Sequence, residues 1–293
     1  MGPRPVGRSG PALKRQAVMP QVDLAGVATH YRVLGNGPGR ALALHCSLAH
    51  GGAWTGFAAG LPGLTITAPD LLGHGRSGDW DGIGDFHAQA TRQAIAMLAS
   101  MTEAQIHLIG HSFGATVALR MALENPDRIV SLTLFEPVLF CAARAAGGPA
   151  YGVYFAGQEG FAAALAAGDK RAAAEAFQTI WGRGEAFEAL KPAQADYITH
   201  RIDLIAAQNP VLEGDAAGLL AYGRLESLGV PVLLLQGARS PAVIDAINTE
   251  LARRLPQVQR AVVPGAGHML PITHAAECAA QVQGFLAEVA KGA

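Results

Sequence analysis

Short apolar segments alternate with helix-like segments along this chain of 293 residues. Several of the apolar segments are almost continuously hydrophobic, which is typical of strands covered on both faces. The predicted strands are residues 27–34, 41–44, 64–68, 106–109, 129–135, 230–235 and 260–263. The predicted helices of the same rhythm are residues 86–98, 115–123, 245–255 and 275–289. This alternation predicts an α/β fold, a mostly parallel sheet with helices on both faces.

Two glycine-rich segments predict turns beside these strands. Residues 35–39 read Gly-Asn-Gly-Pro-Gly and predict a hairpin-like turn between the first two strands. Residues 69–78 read Pro-Asp-Leu-Leu-Gly-His-Gly-Arg-Ser-Gly. We expect Asp70 to hold this second loop through hydrogen bonds to backbone N–H groups. His74, between two glycines, is interpreted as a structural residue.

Residues 139–225 differ from the rest of the chain. They are rich in alanine, contain no convincing strand and carry scattered aromatic side chains. We interpret them as a helical cap or lid, with most of the aromatic rings packed in the core of that lid. The expected division is therefore an extension at residues 1–18, a core formed by residues 19–138 and 226–293, and a lid at residues 139–225.

Composition narrows the class of protein. Half of the residues are hydrophobic and the formal net charge is −1, which favours neither nucleic acid nor an anionic membrane as a partner. Cys46, Cys141 and Cys278 match no disulfide framework or metal-binding spacing. The first 18 residues hold basic side chains among Pro and Gly, which predicts a disordered extension rather than a secretory signal. No apolar run reaches transmembrane length, and we expect a cytoplasmic protein.

The residues Gly110-His111-Ser112-Phe113-Gly114 join a predicted strand to a predicted helix. Gly-x-Ser-x-Gly in this context is the pattern of a nucleophile elbow, which lifts the serine hydroxyl clear of the sheet. The two glycines lack side chains that would collide across the tight turn. The N-terminus of the following helix favours negative charge beside the serine. We predict that Ser112 is a nucleophile; the alternative is a glycine-rich turn with an incidental serine.

Four motifs stand in order along the chain: His45-Cys46-Ser47, residues 69–78, residues 110–114 and Gly265-Ala266-Gly267-His268. On these motifs the chain resembles the α/β-hydrolase superfamily, over roughly residues 22–290. The resemblance implies an eight-stranded, mostly parallel sheet with a lid inserted after the sixth strand. It also implies a serine nucleophile, a histidine base and an acid, working without a cofactor or a metal.

His268 is the predicted base. Gly265 and Gly267 let the loop after the last strand bend sharply, which can bring the imidazole over the sheet edge that carries Ser112. A neutral imidazole takes the serine proton during attack and returns it to the leaving group. The other nine histidines are interpreted as surface or packing residues.

An oxyanion hole needs two N–H groups directed at the developing alkoxide. The backbone N–H of Phe113, which follows the nucleophile, is predicted to be one of them. Members of the superfamily commonly have His-Gly-x after the strand that ends here at Leu44, and x supplies the second N–H. By this correspondence the second donor is the backbone N–H of Ser47. Cys46 stands where the glycine is usual, and we interpret it as a small packing residue.

The acid departs from the commonest pattern of the superfamily. Most members carry it after the strand that follows the lid, as Gly-x-x-Asp, where this chain has Ser240. Serine cannot supply the negative charge that stabilises an imidazolium. Glu136 ends the strand before the lid and resembles the acid of some haloalkane dehalogenases, whose own reaction needs an aspartate in place of Ser112. We predict that Glu136 is the acid; Asp245, expected to cap a helix, is the second candidate.

These residues predict a cofactor-independent serine hydrolase of a small, mainly apolar ester or related acyl compound. A hydrolase of carbon–carbon bonds in ring-cleavage products could use the same triad, and a pocket arginine would favour it. A perhydrolase or haloperoxidase side activity is also compatible with it. The alternative from another class is a non-catalytic small-molecule-binding protein on the same fold. The expected partner is a small-molecule substrate, and the sequence specifies neither its identity nor an oligomeric state.

Overall fold

The computed structural model describes residues 21–292, so the predicted extension at residues 1–18 lies outside the described part. The sheet has the strand order β1-β2-β4-β3-β5-β6-β7-β8. Its strands are β1 (Gln21–Leu24), β2 (Val27–Gly35), β3 (Gly39–Leu44), β4 (Leu64–Pro69), β5 (Ile106–His111), β6 (Ile129–Phe135), β7 (Val232–Gly237) and β8 (Val258–Val263). The pairs β1–β2 and β2–β4 are antiparallel, and all later pairs are parallel. The predicted eight-stranded, mostly parallel sheet is confirmed.

Helices cover both faces of this sheet. The α-helices of the described chain are α1 (Thr55–Ala59), α2 (Phe86–Ser100), α3 (Phe113–Glu124), α4 (Phe140–Ala146), α5 (Ala150–Gly157), α6 (Glu159–Ala166), α7 (Lys170–Trp181), α8 (Pro192–Arg201), α9 (Asp203–Leu212), α10 (Ala242–Arg254), α11 (Leu270–Thr273) and α12 (Ala275–Gly292). Buried residues of α2, α3 and α10 belong to one core cluster, and those of α1 and α12 belong to another.

Strand β3 shows why its sequence is continuously apolar. Leu42 and Leu44 pack in the cluster with α2, α3 and α10, whereas Ala41 and Ala43 pack in the cluster with α1 and α12. Successive side chains of a strand point to opposite faces of its sheet. Because both faces are covered by helices, every position of the strand is buried and apolar.

The predicted hairpin between β2 and β3 is wrong, because β4 lies between these two strands. The connecting turn is instead fastened to the start of β4: the backbone N–H of Gly37 donates to the Leu64 carbonyl at 3.2 Å, and that of Gly39 donates to the Gly63 carbonyl at 3.0 Å. A Cβ on Gly37 would lie 2.1 Å from the Gly63 carbonyl carbon. The glycines are therefore needed because two backbone segments approach each other closely here. A glycine-rich sequence looks the same in this situation as in a hairpin turn.

The segment between β6 and β7 is helical and packs in two ways. Helix α4 belongs to the main core, with Cys141 and Ala142 buried beside α10. Farther along, α6, α7 and α8 share a separate apolar cluster, made of Phe161, Ala173, Ala174, Phe187, Leu190, Ile198 and Ile202. We call the segment from α4 to α9 the lid.

The prediction that Asp70 holds the glycine-rich loop is confirmed. Its Oδ2 accepts the backbone N–H of Arg76 at 2.9 Å, and its Oδ1 accepts that of Gly51 at 2.7 Å. His30 contacts the same carboxylate, with Nδ1 2.9 Å from Oδ2. Asp70 thereby joins the loop after β4 to the loop after β3.

No helix within residues 21–292 has the length and apolar character needed to cross a membrane.

We predict that the free energy of unfolding falls as the pH drops below about 6.5. Burial lowers the pKa of His45 to about 4, of His74 to about 3 and of His87 to about 4. Below their ordinary pKa, these histidines take up protons in the unfolded chain but stay neutral in the folded one. Each should contribute a slope of up to about 1.4 kcal/mol per pH unit between about pH 6.5 and pH 4.

Urea unfolding followed at about pH 7.5 and about pH 5 measures this slope. Stability should be full at the higher pH, where each histidine is neutral in both states. A free energy of unfolding that is equal at the two pH values would contradict the prediction.

Candidate active site

Ser112 occupies the turn between β5 and α3. Its φ of 56° and ψ of −118° are unusual for a residue with a side chain. Its backbone N–H donates to the Phe135 carbonyl at 2.9 Å, so the neighbouring strand holds the strained residue. A Cβ on Gly110 would lie 2.5 Å from the Gly114 carbonyl oxygen, and one on Gly114 would lie 2.3 Å from the Leu44 carbonyl oxygen. Both glycines of the elbow are therefore required by space.

His268 lies in the loop after β8. Gly265 bends this loop with a φ of 72°, which favours glycine. The backbone N–H of Arg239 donates to the Ala266 carbonyl at 2.8 Å, which ties the loop to the turn after β7. The imidazole Nε2 lies 3.0 Å from Ser112 Oγ. The predicted nucleophile and base are therefore within the reach that proton transfer requires.

Glu136 follows β6 and has no exposed surface. Its Oε2 lies 2.7 Å from His268 Nδ1. Its Oε1 accepts the backbone N–H of Gly237 at 2.7 Å and the hydroxyl of Ser240. Because Nδ1 carries its proton toward this carboxylate, Nε2 is left as the acceptor for the hydroxyl of Ser112. The structure thus brings the predicted acid, base and nucleophile into one row of hydrogen bonds.

Ser240 is a residue of this site that sequence reasoning missed. It occupies the position where most members of the superfamily carry the acid, and its hydroxyl donates to Glu136. A second carboxylate here would repel the first, whereas a hydroxyl stabilises it. The sequence shows a serine at the aspartate position of the Gly-x-x-Asp pattern. It does not show that this serine contacts Glu136, which lies 104 residues away in the chain.

Asp245, the second candidate for the acid, is directed elsewhere. Its Oδ1 accepts from Arg260 Nη2 at 2.7 Å and from Gln236 Nε2 at 3.2 Å. The prediction that Asp245 caps a helix is also wrong, because α10 begins at Ala242 with Pro241 at the N-cap. Pro241 has a non-helical ψ of 140°, so the helix starts directly after it. Asp245 lies in the first turn, where a negative charge interacts favourably with the helix dipole.

His111 borders Ser112 and stays neutral near neutral pH. Burial, together with the nearby His268, lowers the pKa of His111 well below its usual value. Its Nε2–H donates to the backbone carbonyl of His268 at 2.9 Å, which helps to hold the histidine loop. A neutral His111 brings no positive charge that would oppose an imidazolium on His268.

The predicted oxyanion donors lie on two elements beside the nucleophile. Phe113 is the first residue of α3, and the first N–H groups of a helix have no partner within it. Ser47 lies on the wall of the cavity that contains the nucleophile. The loop before Ser47 is held by His45, whose Nδ1 donates to the Cys46 carbonyl at 2.7 Å and whose Nε2 accepts the Leu71 N–H at 2.9 Å. The imidazole of His45 therefore sets the backbone from which Ser47 projects.

Cys46 is a buried thiol in this loop. Burial raises the pKa of Cys46 to about 12, so it stays protonated near neutral pH. The thiolate, not the thiol, is the nucleophilic form of cysteine. The environment of Cys46 therefore agrees with a packing residue.

A cavity of about 410 Å³ contains Ser112 and His268. The rings of Trp181 and His268 meet in a T-shaped arrangement, with 4.6 Å between their centroids. Glu159 and Glu213 lie on the wall, and no lysine or arginine of residues 21–292 lines it. Most of the wall is apolar or aromatic, and all of these residues except Val138 come from the lid: Val138, Phe140, Tyr154, Phe155, Phe161, Ala162, Leu165, Phe177, Trp181, Ile205, Ala206 and Leu212. We call this space the apolar cavity.

A second cavity of about 700 Å³ adjoins the apolar cavity and shares Ser47, Phe177 and Trp181 with it. Arg183 and Lys191 lie on its wall, and no carboxylate of the described residues does. The two cavities therefore differ in charge, and we call the second one the basic cavity.

Tyr197 fastens the lid to the core. Its hydroxyl accepts the backbone N–H of Gly75 at 2.8 Å and donates to the Ala49 carbonyl at 3.1 Å. The Arg201 guanidinium lies 4.2 Å from the centroid of the Tyr197 ring and donates to the Gly73 carbonyl at 3.0 Å. Helix α8 thus contacts both the Asp70 loop and the segment after Ser47, whereas the sequence pattern predicted only packing inside the lid for most of its aromatic rings.

Comparison with known proteins adds to this geometry. A family profile described as the alpha/beta hydrolase fold matches residues 42–275. Lipase LipV of Mycobacterium tuberculosis is 38% identical over 104 residues, which are 36% of this chain and 39% of the lipase. The pimeloyl-[acyl-carrier protein] methyl ester esterase of Nitrosomonas europaea is 26% identical over 246 residues, which are 82% of this chain and 92% of the esterase.

Solved structures share the fold. The haloalkane dehalogenase DatA from Agrobacterium tumefaciens C58 superposes with a TM-score of 0.68 at 20% sequence identity. The superposition covers 92% of this chain and 96% of the dehalogenase.

Within residues 21–292, no group of three His, Cys, Asp or Glu side chains is placed to hold a metal ion.

We predict that Glu136→Gln leaves the protein folded and lowers kcat for an activated ester on the order of 10³–10⁴-fold. An amide can present its N–H₂ to Nδ1 and favour the wrong tautomer of His268, and it cannot stabilise an imidazolium. Initial rates with a p-nitrophenyl ester, together with thermal unfolding, measure both effects. Asp245→Asn is the matched control and should keep near-full activity. Near-full activity of Glu136→Gln, or an equal loss in Asp245→Asn, would contradict this assignment.

We further predict that the acid can be moved. Ser240 touches the carboxylate that contacts His268, so a carboxylate at position 240 should come within reach of Nδ1. Glu136→Ser alone should be nearly inactive, and adding Ser240→Asp should restore at least about 10-fold in kcat. Ser240→Asp alone should be impaired, because two carboxylates would then crowd one site. If the double variant is no faster than Glu136→Ser, this prediction is wrong.

Proposed function

The chain belongs to the α/β-hydrolase fold family, and on that premise we propose that it cleaves small, mainly apolar esters through an acyl-enzyme on Ser112. It is a hydrolase with lipase and esterase relatives. One observation carries the proposal: Ser112 Oγ lies 3.0 Å from His268 Nε2, and His268 Nδ1 lies 2.7 Å from Glu136 Oε2, on the wall of an apolar cavity.

In the first step, Ser112 Oγ attacks the ester carbonyl carbon while its proton passes to His268 Nε2. The carbonyl oxygen becomes an alkoxide, and the backbone N–H groups of Phe113 and Ser47 are the donors we assign to it. Collapse of this intermediate breaks the bond to the alcohol, which leaves with the proton from Nε2. The products of this step are the free alcohol and an acyl group on Ser112.

In the second step, water replaces the alcohol. His268 Nε2 takes one proton from the water, whose oxygen attacks the acyl carbon, and then returns that proton to Ser112 Oγ as the acid leaves. Glu136 acts in both steps by holding Nδ1–H and stabilising the positive imidazolium. Glu136 therefore orients His268 and does not itself carry the transferred proton.

The wall of the apolar cavity supports an uncharged, mainly apolar substrate. Burial of aromatic and aliphatic surface favours an apolar acyl or alcohol group. Glu159 and Glu213 would repel an anionic group placed there. An ester of this kind fits the cavity better than a carboxylate-bearing ring-cleavage product.

The second candidate is hydrolysis of a carbon–carbon bond in ring-cleavage products. The observation in its favour is Arg183 on the wall of the basic cavity, which could hold a substrate carboxylate beside the site. A panel that contains p-nitrophenyl esters and a dienone acid separates the two functions. Turnover of the dienone acid that exceeds ester turnover, and that Arg183→Ala weakens, would favour the second candidate.

We predict that a phosphonofluoridate probe labels the wild-type chain at Ser112, and that Ser112→Ala abolishes the label. Ser112→Ala and His268→Ala should each remove most ester turnover, and the double variant should lose little more, because the two residues act as one unit. Initial rates and mass spectrometry of the labelled protein provide the measurements. Additive losses would argue against a shared step, and an unlabelled, inactive wild type would favour a non-catalytic binding protein.

A further inference from the structure

The side-chain amide of Gln208 is buried in the apolar cavity, and its nitrogen has no hydrogen-bond partner among the described residues. Gln208 lies on lid helix α9, is 2% exposed and shares the cavity wall with Ser47 and Ser112. Its Oε1 accepts the hydroxyl of Ser47 at 2.9 Å. Its Nε2 has no hydrogen-bond partner among residues 21–292. The amide therefore offers two N–H donors in a place where an unpaired donor is costly.

The hydrogen bond to Ser47 fixes where these donors lie. The Ser47 hydroxyl occupies Oε1, so Nε2 is the end of the amide that is left for another molecule. The backbone N–H of Ser47 is the second oxyanion donor in the proposed reaction. The Gln208 amide is thus tied through the Ser47 side chain to a residue of the proposed oxyanion hole.

Gln158 offers a useful contrast on the same wall. Its Nε2 is also buried and has no partner among the described residues, but no hydrogen bond ties its amide to the loop after β3. Gln208 is therefore the amide of this wall that is held beside the proposed oxyanion site, through the hydroxyl of Ser47.

We propose that Gln208 determines specificity by donating Nε2–H to a neutral acceptor oxygen in the acyl group, about two bonds from the scissile carbonyl. The preferred substrates are then esters of small alkoxy, hydroxy or oxo acids. A neutral acceptor is favoured over a carboxylate because Glu159 and Glu213 line the same cavity. This inference rests on the proposed ester hydrolysis at Ser112 and names its substrate class.

The test compares p-nitrophenyl methoxyacetate with p-nitrophenyl butanoate, two esters that differ by one ether oxygen in place of a methylene. The ratio of their kcat/KM values is divided by the ratio of their hydroxide-catalysed rates, which removes the difference in intrinsic reactivity. In the wild-type chain this corrected ratio should favour methoxyacetate by about 10-fold.

The decisive variant is Gln208→Glu, which keeps an oxygen for the Ser47 hydroxyl but removes the N–H donor. Its corrected ratio should fall by about 10-fold or more relative to wild type. Asn209→Asp is the matched control, because it brings the same charge to the next residue of the same helix and cavity, and it should leave the ratio unchanged. If Gln208→Glu does not fold, Gln208→Met should show the same loss of selectivity.

Three results would overturn this inference. The first is an unchanged ratio in Gln208→Glu or Gln208→Met. The second is an equal fall in Asn209→Asp, which would assign the effect to charge alone. The third is a wild-type ratio near one. Probe labelling at Ser112 and butanoate turnover report separately on the proposed function, whose failure would leave the wild type unlabelled and inactive with both esters.

Discussion

The hydrogen bond between Glu136 and His268 is the contact on which the rest of the site depends. Taking a carboxylate out of water is costly unless charge-assisted hydrogen bonds replace its hydration. The buried Glu136 obtains them from the ring of His268, the backbone of Gly237 and the hydroxyl of Ser240. Gly237 is the last residue of β7, Ser240 follows β7 and His268 follows β8; these are the strands beyond β6 in the sheet. The pairing of these strand ends therefore also assembles the row of hydrogen bonds from Ser112 through His268 to Glu136.

Backbone strain at the same edge has a common cause. Ser112 and Glu136 both have positive φ, at 56° and 46°, which costs on the order of 1–3 kcal/mol for residues with side chains. Each donates its backbone N–H at 2.9 Å to the last part of the next strand, Ser112 to Phe135 and Glu136 to Leu235. The parallel ladder thus continues one residue past the strand ends. It holds both residues in conformations that turn their side chains toward the histidine between them.

Local pattern was enough to predict seven of the eight strands of the sheet, the elbow and its glycines, because each depends on neighbours in the sequence; β1 was not predicted. The role of Glu136 was predicted from a resemblance to the acid of some haloalkane dehalogenases, which follows the strand before the lid. Local sequence pattern does not reveal which distant segments contact one another. Ser240 meets Glu136 across 104 residues, Tyr197 meets Ala49 across 148, and β4 enters between β2 and β3 where a hairpin was expected. Strand order and side-chain partners arise from tertiary packing, which turn and period signals do not contain.

The core and the lid contribute different parts of the site. The groups that would move protons are held by sheet ends and by backbone hydrogen bonds of the core. The lid reaches this machinery at separate points: Trp181 packs on the ring of His268, Gln208 holds the hydroxyl of Ser47, and Tyr197 joins two core loops. Of these three residues, Trp181 and Gln208 line the apolar cavity, whereas Tyr197 lines the basic cavity. In the proposed reaction, changes in the lid would therefore alter which acyl group is accepted while the row from Ser112 to Glu136 keeps its geometry.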